Sequence, residues 1–217
     1  MTNDTTREAD ALASLSVEEK VGQVMFLAFS GKDTAGTRQL IERHGLGGVY
    51  LSQDNATTPE EAAALSAELQ HTARSNRPGI PLLLGADHEG TWNILPPYMA
   101  AGPGNLGLGA AREPRWTAAM YAVLAAEVRA VGYNTLLGPC VDVNSNPTNA
   151  IIGMRSFGDD PAQVAALAAA AVRGARSQGA ITAAKHFPGH GDTRMDTHRG
   201  LATVDRPEAS LRATELV

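Results

Sequence analysis

The segment Lys185–His198, KHFPGHGDTRMDTH, holds the densest set of reactive side chains in the sequence. His186, His190, Asp192 and His198 are all competent zinc ligands, so a metal site is one reading. Pro188 and Gly189 break any helix there, so His186 and His190 do not form the i, i+4 pair of a helical zinc motif. A second reading is a proton-transfer dyad. Asp196 stands two residues before His198, a spacing at which a carboxylate on an extended loop can hold one ring nitrogen. That contact fixes the tautomer and favours the protonated ring, which suits an acid/base catalyst. A third reading is a loop whose Asp and Thr side chains only cap turns.

Other polar residues lie just past apolar runs. Asp87, His88 and Glu89 follow PLLLGA, and Asp142, Asn144 and Asn146 sit in and beyond TLLGPCVDV. Arg155 lies within GMRSFG. Lys185 and His186 can hydrogen-bond a polyhydroxyl ligand, with Asp87 accepting from hydroxyls and Arg155 donating. Such a mixed set suits a sugar better than a phosphate, which favours a helix N-terminus and glycines.

Five apolar runs must position these groups: Gln23–Phe29, Gly48–Leu51, Pro81–Ala86, Thr135–Val143 and Ile181–Phe187. They are continuous rather than alternating, as expected of parallel strands buried on both faces. Helical patterns follow them. Thr58-Pro59-Glu60-Glu61 has the cap, N1 proline and acid of a helix start, and that helix is expected to end near Arg74. A second is expected from Pro114 to Gly132, with Ala119, Val123, Ala126 and Ala130 spaced for one buried face. A third starts at Asp160-Pro161 and stops at Gly179. Residues 88–113 read as the longest loop. Within them Gly102–Gly107 is rejected as a dinucleotide loop, because no strand precedes it and it contains a proline. Alternating strands and helices make this an α/β chain with parallel strands. The ligand face of such folds lies at the C-terminal strand ends, where the polar residues cluster.

Composition narrows the function. At 43% hydrophobic and 19% charged, the 217 residues are ordinary globular chemistry and suit one domain, residues 1–217. A net charge of −5 gives no attraction to polyanions, so no nucleic acid and no membrane surface is expected as a partner. Cys140 is the single cysteine, which excludes an internal disulfide and a thiolate cage. No apolar run approaches the ~20 residues of a membrane span. The acidic N-terminal stretch lacks the pattern of a secretory signal, so a soluble cytoplasmic protein is the default expectation, with secretion left open.

The motifs also carry a resemblance. SVEEKVGQ at 16–23, GLGGVYL at 45–51, PLLLGADHEG at 81–90, GPCVDVNSNP at 138–147, IGMRSFGDDP at 152–161 and AAKHFPGHGDTRMDTH at 183–198 occur in family order. Together they resemble the N-terminal barrel domain of glycoside hydrolase family 3, in its bacterial β-N-acetylglucosaminidase branch. The resemblance implies the first five βα units of a (β/α)8 TIM-type barrel, incomplete at its C-terminal side. It implies His198 as acid/base, Asp196 as its orienting partner, and Asp87, Arg155, Lys185 and His186 as sugar-binding residues. The activity implied is that of a retaining β-N-acetylhexosaminidase acting on amino-sugar glycosides, cell-wall fragments among them, with no cofactor and no metal. Retention needs a carboxylate nucleophile on the opposite sugar face. In the family that aspartate follows the seventh strand, beyond Val217, so no residue is assigned to it.

One departure concerns an arginine that follows the Asp-x-Glu-Gly-Gly pattern in the family and stands here as Leu95. A phosphorylase is the near alternative, because a histidine acid/base leaves room for phosphate to attack. The other is an inactive fragment or half of a split enzyme that at best binds sugar. An open barrel edge would then invite self-association.

Overall fold

The structure, a computed structural model, describes residues 4–91, 99–198 and 200–216. The chain divides into two compact units, Met1–Gly85 with Val131–Tyr133, and Ala86–Ala130 with Asn134–Val217.

The first unit contains helices α1 (Asp4–Ser14), α2 (Val17–Gln23), α3 (Ala35–His44) and α4 (Pro59–Ser75). Its strands are β1 (Phe26–Ala28), β2 (Gly48–Tyr50) and β3 (Leu83–Ala86). β1 pairs with β2 and β2 with β3, both in parallel, as expected. Local signals start the helices. Ser16 and Glu19 form a reciprocal capping box on α2, and the Glu61 amide donates to the Thr58 hydroxyl at the start of α4. Ala62, Leu65, Leu69 and Ala73 give α4 its buried face, at the spacing of successive turns.

The second unit contains α5 (Gly104–Ala111), α6 (Pro114–Ala130), β4 (Thr135–Leu136), a 3-10 turn (Gly153–Arg155), α7 (Pro161–Ser177), β5 (Ile181–Thr182) and α8 (Glu208–Thr214). α6 and α7 pack closely, and a Cβ on Gly174 of α7 would lie 2.1 Å from the Ala118 carbonyl oxygen of α6. β4 and β5 are parallel, with Thr135 opposite Ile181. Past these short strands the ladder continues in pieces. The Lys185 amide donates to the Pro139 carbonyl and the Val141 amide to the Lys185 carbonyl, at 3.0 and 2.7 Å. Cys140 thereby lies opposite Lys185, and Asp142 is brought alongside His186.

Three expectations need correction. On α6 the predicted buried face, Ala119, Val123, Ala126 and Ala130, is the exposed one; Thr117, Tyr121, Leu124, Ala125 and Val128 are buried instead, a stripe of the same period that carries the larger apolar side chains. The strands are shorter than the apolar runs, and β1 and β5 are not buried on both faces: Phe26 and Ile181 are exposed. Among the described residues β1 pairs only with β2 and β5 only with β4, so each is covered less than the inner strands. Residues 88–113 are also not one loop, because 104–111 form α5. Its glycines serve close approach rather than flexibility. A Cβ on Gly109 would lie 1.8 Å from the Phe157 carbonyl oxygen, so the segment carrying Arg155 seats directly on this helix. The expected departure at Leu95 lies outside the described residues. Among the described residues no helix is long and apolar enough to cross a membrane.

Candidate functional site

Every residue singled out as a site candidate lies in the second unit. The chain leaving β3 is extended, so successive side chains point to opposite sides. Asp87 and Glu89 share one side and meet Lys185, while His88 turns to the other and meets Glu127 on α6, Nε2 to Oε2 2.8 Å. Burial pushes the His88 ring toward its neutral form against the pull of Glu127.

Glu89 is the centre of the buried cluster. Arg155 holds it with both ends of a fork, Nε to Oε2 and Nη2 to Oε1 at 2.8 Å each. Lys185 Nζ lies 2.5 Å from Asp87 Oδ1 and 2.8 Å from Glu89 Oε1. Burial disfavours the Glu89 charge, but the Arg155 hydrogen bonds and the two neighbouring cations outweigh it and hold the carboxyl below its ordinary range. For Lys185, burial is likewise outweighed, by Glu89 and Asp87, so its ammonium stays charged above the ordinary value. Arg155 is positioned from behind. Its carbonyl accepts from Asn105 Nδ2 at 2.7 Å, and Asn105 Oδ1 accepts from the Tyr121 hydroxyl at 2.9 Å. α5 and α6 thus hold the backbone of the arginine.

His186 extends the cluster. Its Nε2 is 3.5 Å from Arg155 Nη2 and its Nδ1 is 2.6 Å from Asp142 Oδ2. Asp142 is buried, which works against its charge. The His186 hydrogen bond and the His190 backbone N–H outweigh that and keep it ionised below its ordinary range. An ionised carboxylate only accepts, so His186 carries its proton on Nδ1, and in the neutral ring Nε2 is left as an acceptor.

Asp196 and His198 form a separate pair. The His198 amide and ring Nδ1 approach Asp196 Oδ1 at 2.9 and 2.7 Å, and the histidine side chain is 79% exposed. This is the spacing-based dyad, with Nδ1 occupied and Nε2 available. A cavity of about 340 Å³ lies against Thr148–Ile151 and Arg194–Asp196.

The six residues predicted from the sequence thus fall into two groups, Asp87, Arg155, Lys185 and His186 in one and Asp196 with His198 in the other. Glu89 and Asp142 were noticed as strand-end acids but not selected. The two-residue period of an extended chain would have placed Glu89 beside Asp87. Asp142 had no such local signal, because the histidines it holds, His186 and His190, lie more than forty positions away.

The four histidine and aspartate residues weighed as zinc ligands take separate partners. His186 meets Asp142, His190 meets Thr193 and Thr197, Asp192 pairs with Arg206 at 2.7 Å, and His198 meets Asp196. Among the described residues a different trio, Cys140, Asp142 and His186, brings candidate ligand atoms within 4.8 Å of one another. There the Cys140 thiol donates to Asp142 Oδ2 at 3.1 Å, and burial with the adjacent carboxylate raises it well above its ordinary range. Such a thiol is a poor source of the thiolate that metals prefer.

Residues 16–217 match the family described as the glycosyl hydrolase family 3 N-terminal domain. The β-hexosaminidase A of Pseudoalteromonas piscicida is 33% identical over 184 residues, covering 82% of this chain and 31% of that protein. A solved glycoside hydrolase family 3 β-N-acetylglucosaminidase from Paenibacillus sp. str. FPU-7 is 38% identical, with a TM-score of 0.87 over 94% of this chain and 39% of that one. A β-glucoside phosphorylase structure bound to 2FGlc is 27% identical, with a TM-score of 0.78 over 91% of this chain and 34% of that one. The chain therefore spans well under half of each of these three proteins. The α/β fold with parallel strands and the order of its motifs agree with these matches: the chain belongs to glycoside hydrolase family 3.

Proposed function

We propose that this chain carries the sugar-binding and acid/base groups of a retaining β-N-acetylhexosaminidase. The observation that carries the reading is the Asp196–His198 pair, with Nδ1 held at 2.7 Å and an exposed ring. In this reading His198 Nε2–H protonates the glycosidic oxygen as the bond from C1 to that oxygen breaks. Asp196 steadies the ring while it carries charge. A carboxylate outside the residues assigned here attacks C1 from the opposite face and forms a glycosyl-enzyme. His198, now neutral, takes a proton from water as that water displaces the carboxylate, which restores the starting state.

Asp87, Arg155, Lys185 and His186 bind hydroxyls of the sugar. Their support is the pairing among them: each charge is already oriented before a ligand arrives, so little ordering remains to be done on binding. The cavity beside Asp196 gives the leaving group room next to the acid.

The phosphorylase neighbour favours a second reading, in which phosphate rather than water takes the sugar from the enzyme. A histidine acid/base adds no second carboxylate to repel that phosphate. The sugar product that accompanies nitrophenol release from 4-nitrophenyl β-N-acetylglucosaminide by the full-length protein separates the readings. A hydrolase gives free N-acetylglucosamine at a rate that added phosphate leaves unchanged. Formation of the sugar 1-phosphate would assign the phosphorylase, and turnover of neither kind would remove the enzyme reading.

A further inference from the structure

His190 belongs to neither the buried cluster nor the dyad, yet its contacts run to both. Its backbone N–H donates to Asp142 Oδ1 at 2.6 Å, on the same carboxylate that holds the His186 ring. Its ring nitrogens face two hydroxyls, Nδ1 at 2.5 Å from Thr193 Oγ1 and Nε2 at 3.3 Å from Thr197 Oγ1. Thr197 stands between Asp196 and His198. The anchoring end is well fixed. Thr193 is buried, Asn149 Nδ2 donates to the His190 and Gly191 carbonyls, and a Cβ on Gly191 would lie 1.7 Å from the Val143 carbonyl oxygen. The far end is not, since His198 is exposed. A ring with two nitrogen partners along one loop is suited to setting the position of that loop's tip.

We infer that His190 is a positioning residue: anchored on Asp142, its ring holds the Asp196–Thr197–His198 turn at a fixed place relative to the sugar-binding cluster. Its catalytic consequence rests on the proposed role of His198, while its structural consequence does not. The His190 ring also meets His186 edge-on, centroids 5.6 Å apart, so if His190 places the acid, losing its ring lowers protonation of the leaving group more than it weakens sugar binding, and cutting the Thr197 link alone spares the His186 contact.

The test uses His190→Ala and, as a gentler cut of one link, Thr197→Val in the full-length protein. Hydrogen exchange across residues 193–198 is the first readout and needs no activity. Faster exchange there in both variants is the expected result, with the segment around Lys185 and His186 unchanged in Thr197→Val, which keeps the His186–His190 ring contact. The second readout is kcat/KM on two β-N-acetylglucosaminides. On a sugar aglycone His190→Ala should lose about tenfold, a part of the ~10² to 10⁴-fold that a positioned acid supplies. On a nitrophenyl aglycone it should lose clearly less, and Thr197→Val should change Kd for N-acetylglucosamine less than about twofold. Unchanged exchange at 193–198 would overturn the inference. So would equal losses on both aglycones with weakened N-acetylglucosamine binding, which would make His190 a support of the sugar cluster. Altered exchange in a protein that lacks glycosidase turnover would keep the positioning role and remove the proposed function.

Discussion

The buried cluster and the dyad loop solve two different problems with the same chemistry, a carboxylate against a cation or an imidazole. Around Glu89, two cations, Arg155 and Lys185, are drawn from distant parts of the second unit and nearly removed from water. At Asp196 and His198 the partners are two residues apart and the ring faces solvent. Groups that recognise a ligand benefit from being fixed before it arrives. A group that exchanges protons with a leaving group and then with water needs access, so local geometry replaces burial. The difference teaches where mutational damage should appear, in stability for the first region and in rate for the second.

Glu89→Gln tests the buried side most strongly. It leaves Arg155 and Lys185 without their shared carboxylate, and stranded buried charges typically cost about 3–5 kcal/mol. Chemical denaturation should show a loss of that size. The same logic fixes a sign with pH. The folded-state value of Glu89 lies below its ordinary 4.5, so its contribution is fully present above about 4.5 and is lost as pH falls toward the folded-state value. Acid unfolding of the wild type should therefore be steeper below pH 4.5 than that of Glu89→Gln. A variant as stable as the wild type would break the comparison at its buried end.

Asp196→Ala should do much less to the fold. Exposed ion pairs are worth about 0–1 kcal/mol, so the denaturation midpoint should barely move even where turnover is lost. A stability loss comparable to that of Glu89→Gln would mean that the dyad is structural and that the contrast between the regions is false.

Much of this was legible before any coordinates, for reasons that differ by residue. Asp196 and His198 interact across two positions, so spacing alone exposes them. The three long helices announce themselves through Thr58-Pro59, Pro114 and Asp160-Pro161, whose effects are local. Asp87, Arg155, Lys185 and His186 were placed in one group by their positions at strand ends, although the bonds among them were not. Glu89 was passed over because its importance comes from Arg155, sixty-six positions later. Helix α5 was read as loop because glycine signals both flexibility and close approach. Only the position of the Phe157 carbonyl against Gly109 decides between them. The exposure of β1 and β5 was equally hidden, since it depends on which strands lie alongside rather than on their own apolar residues.

The acid role of His198 is the central claim, and its leaving-group dependence is the most direct test. In the full-length protein, His198→Ala should slow cleavage of a β-N-acetylglucosaminide with a poor leaving group by ~10² to 10⁴-fold. The nitrophenyl glycoside, which needs little proton help to depart, should be far less affected at its bond-breaking step. Equal losses on both substrates would contradict the assignment and return His198 to the role of a solvent-facing loop residue.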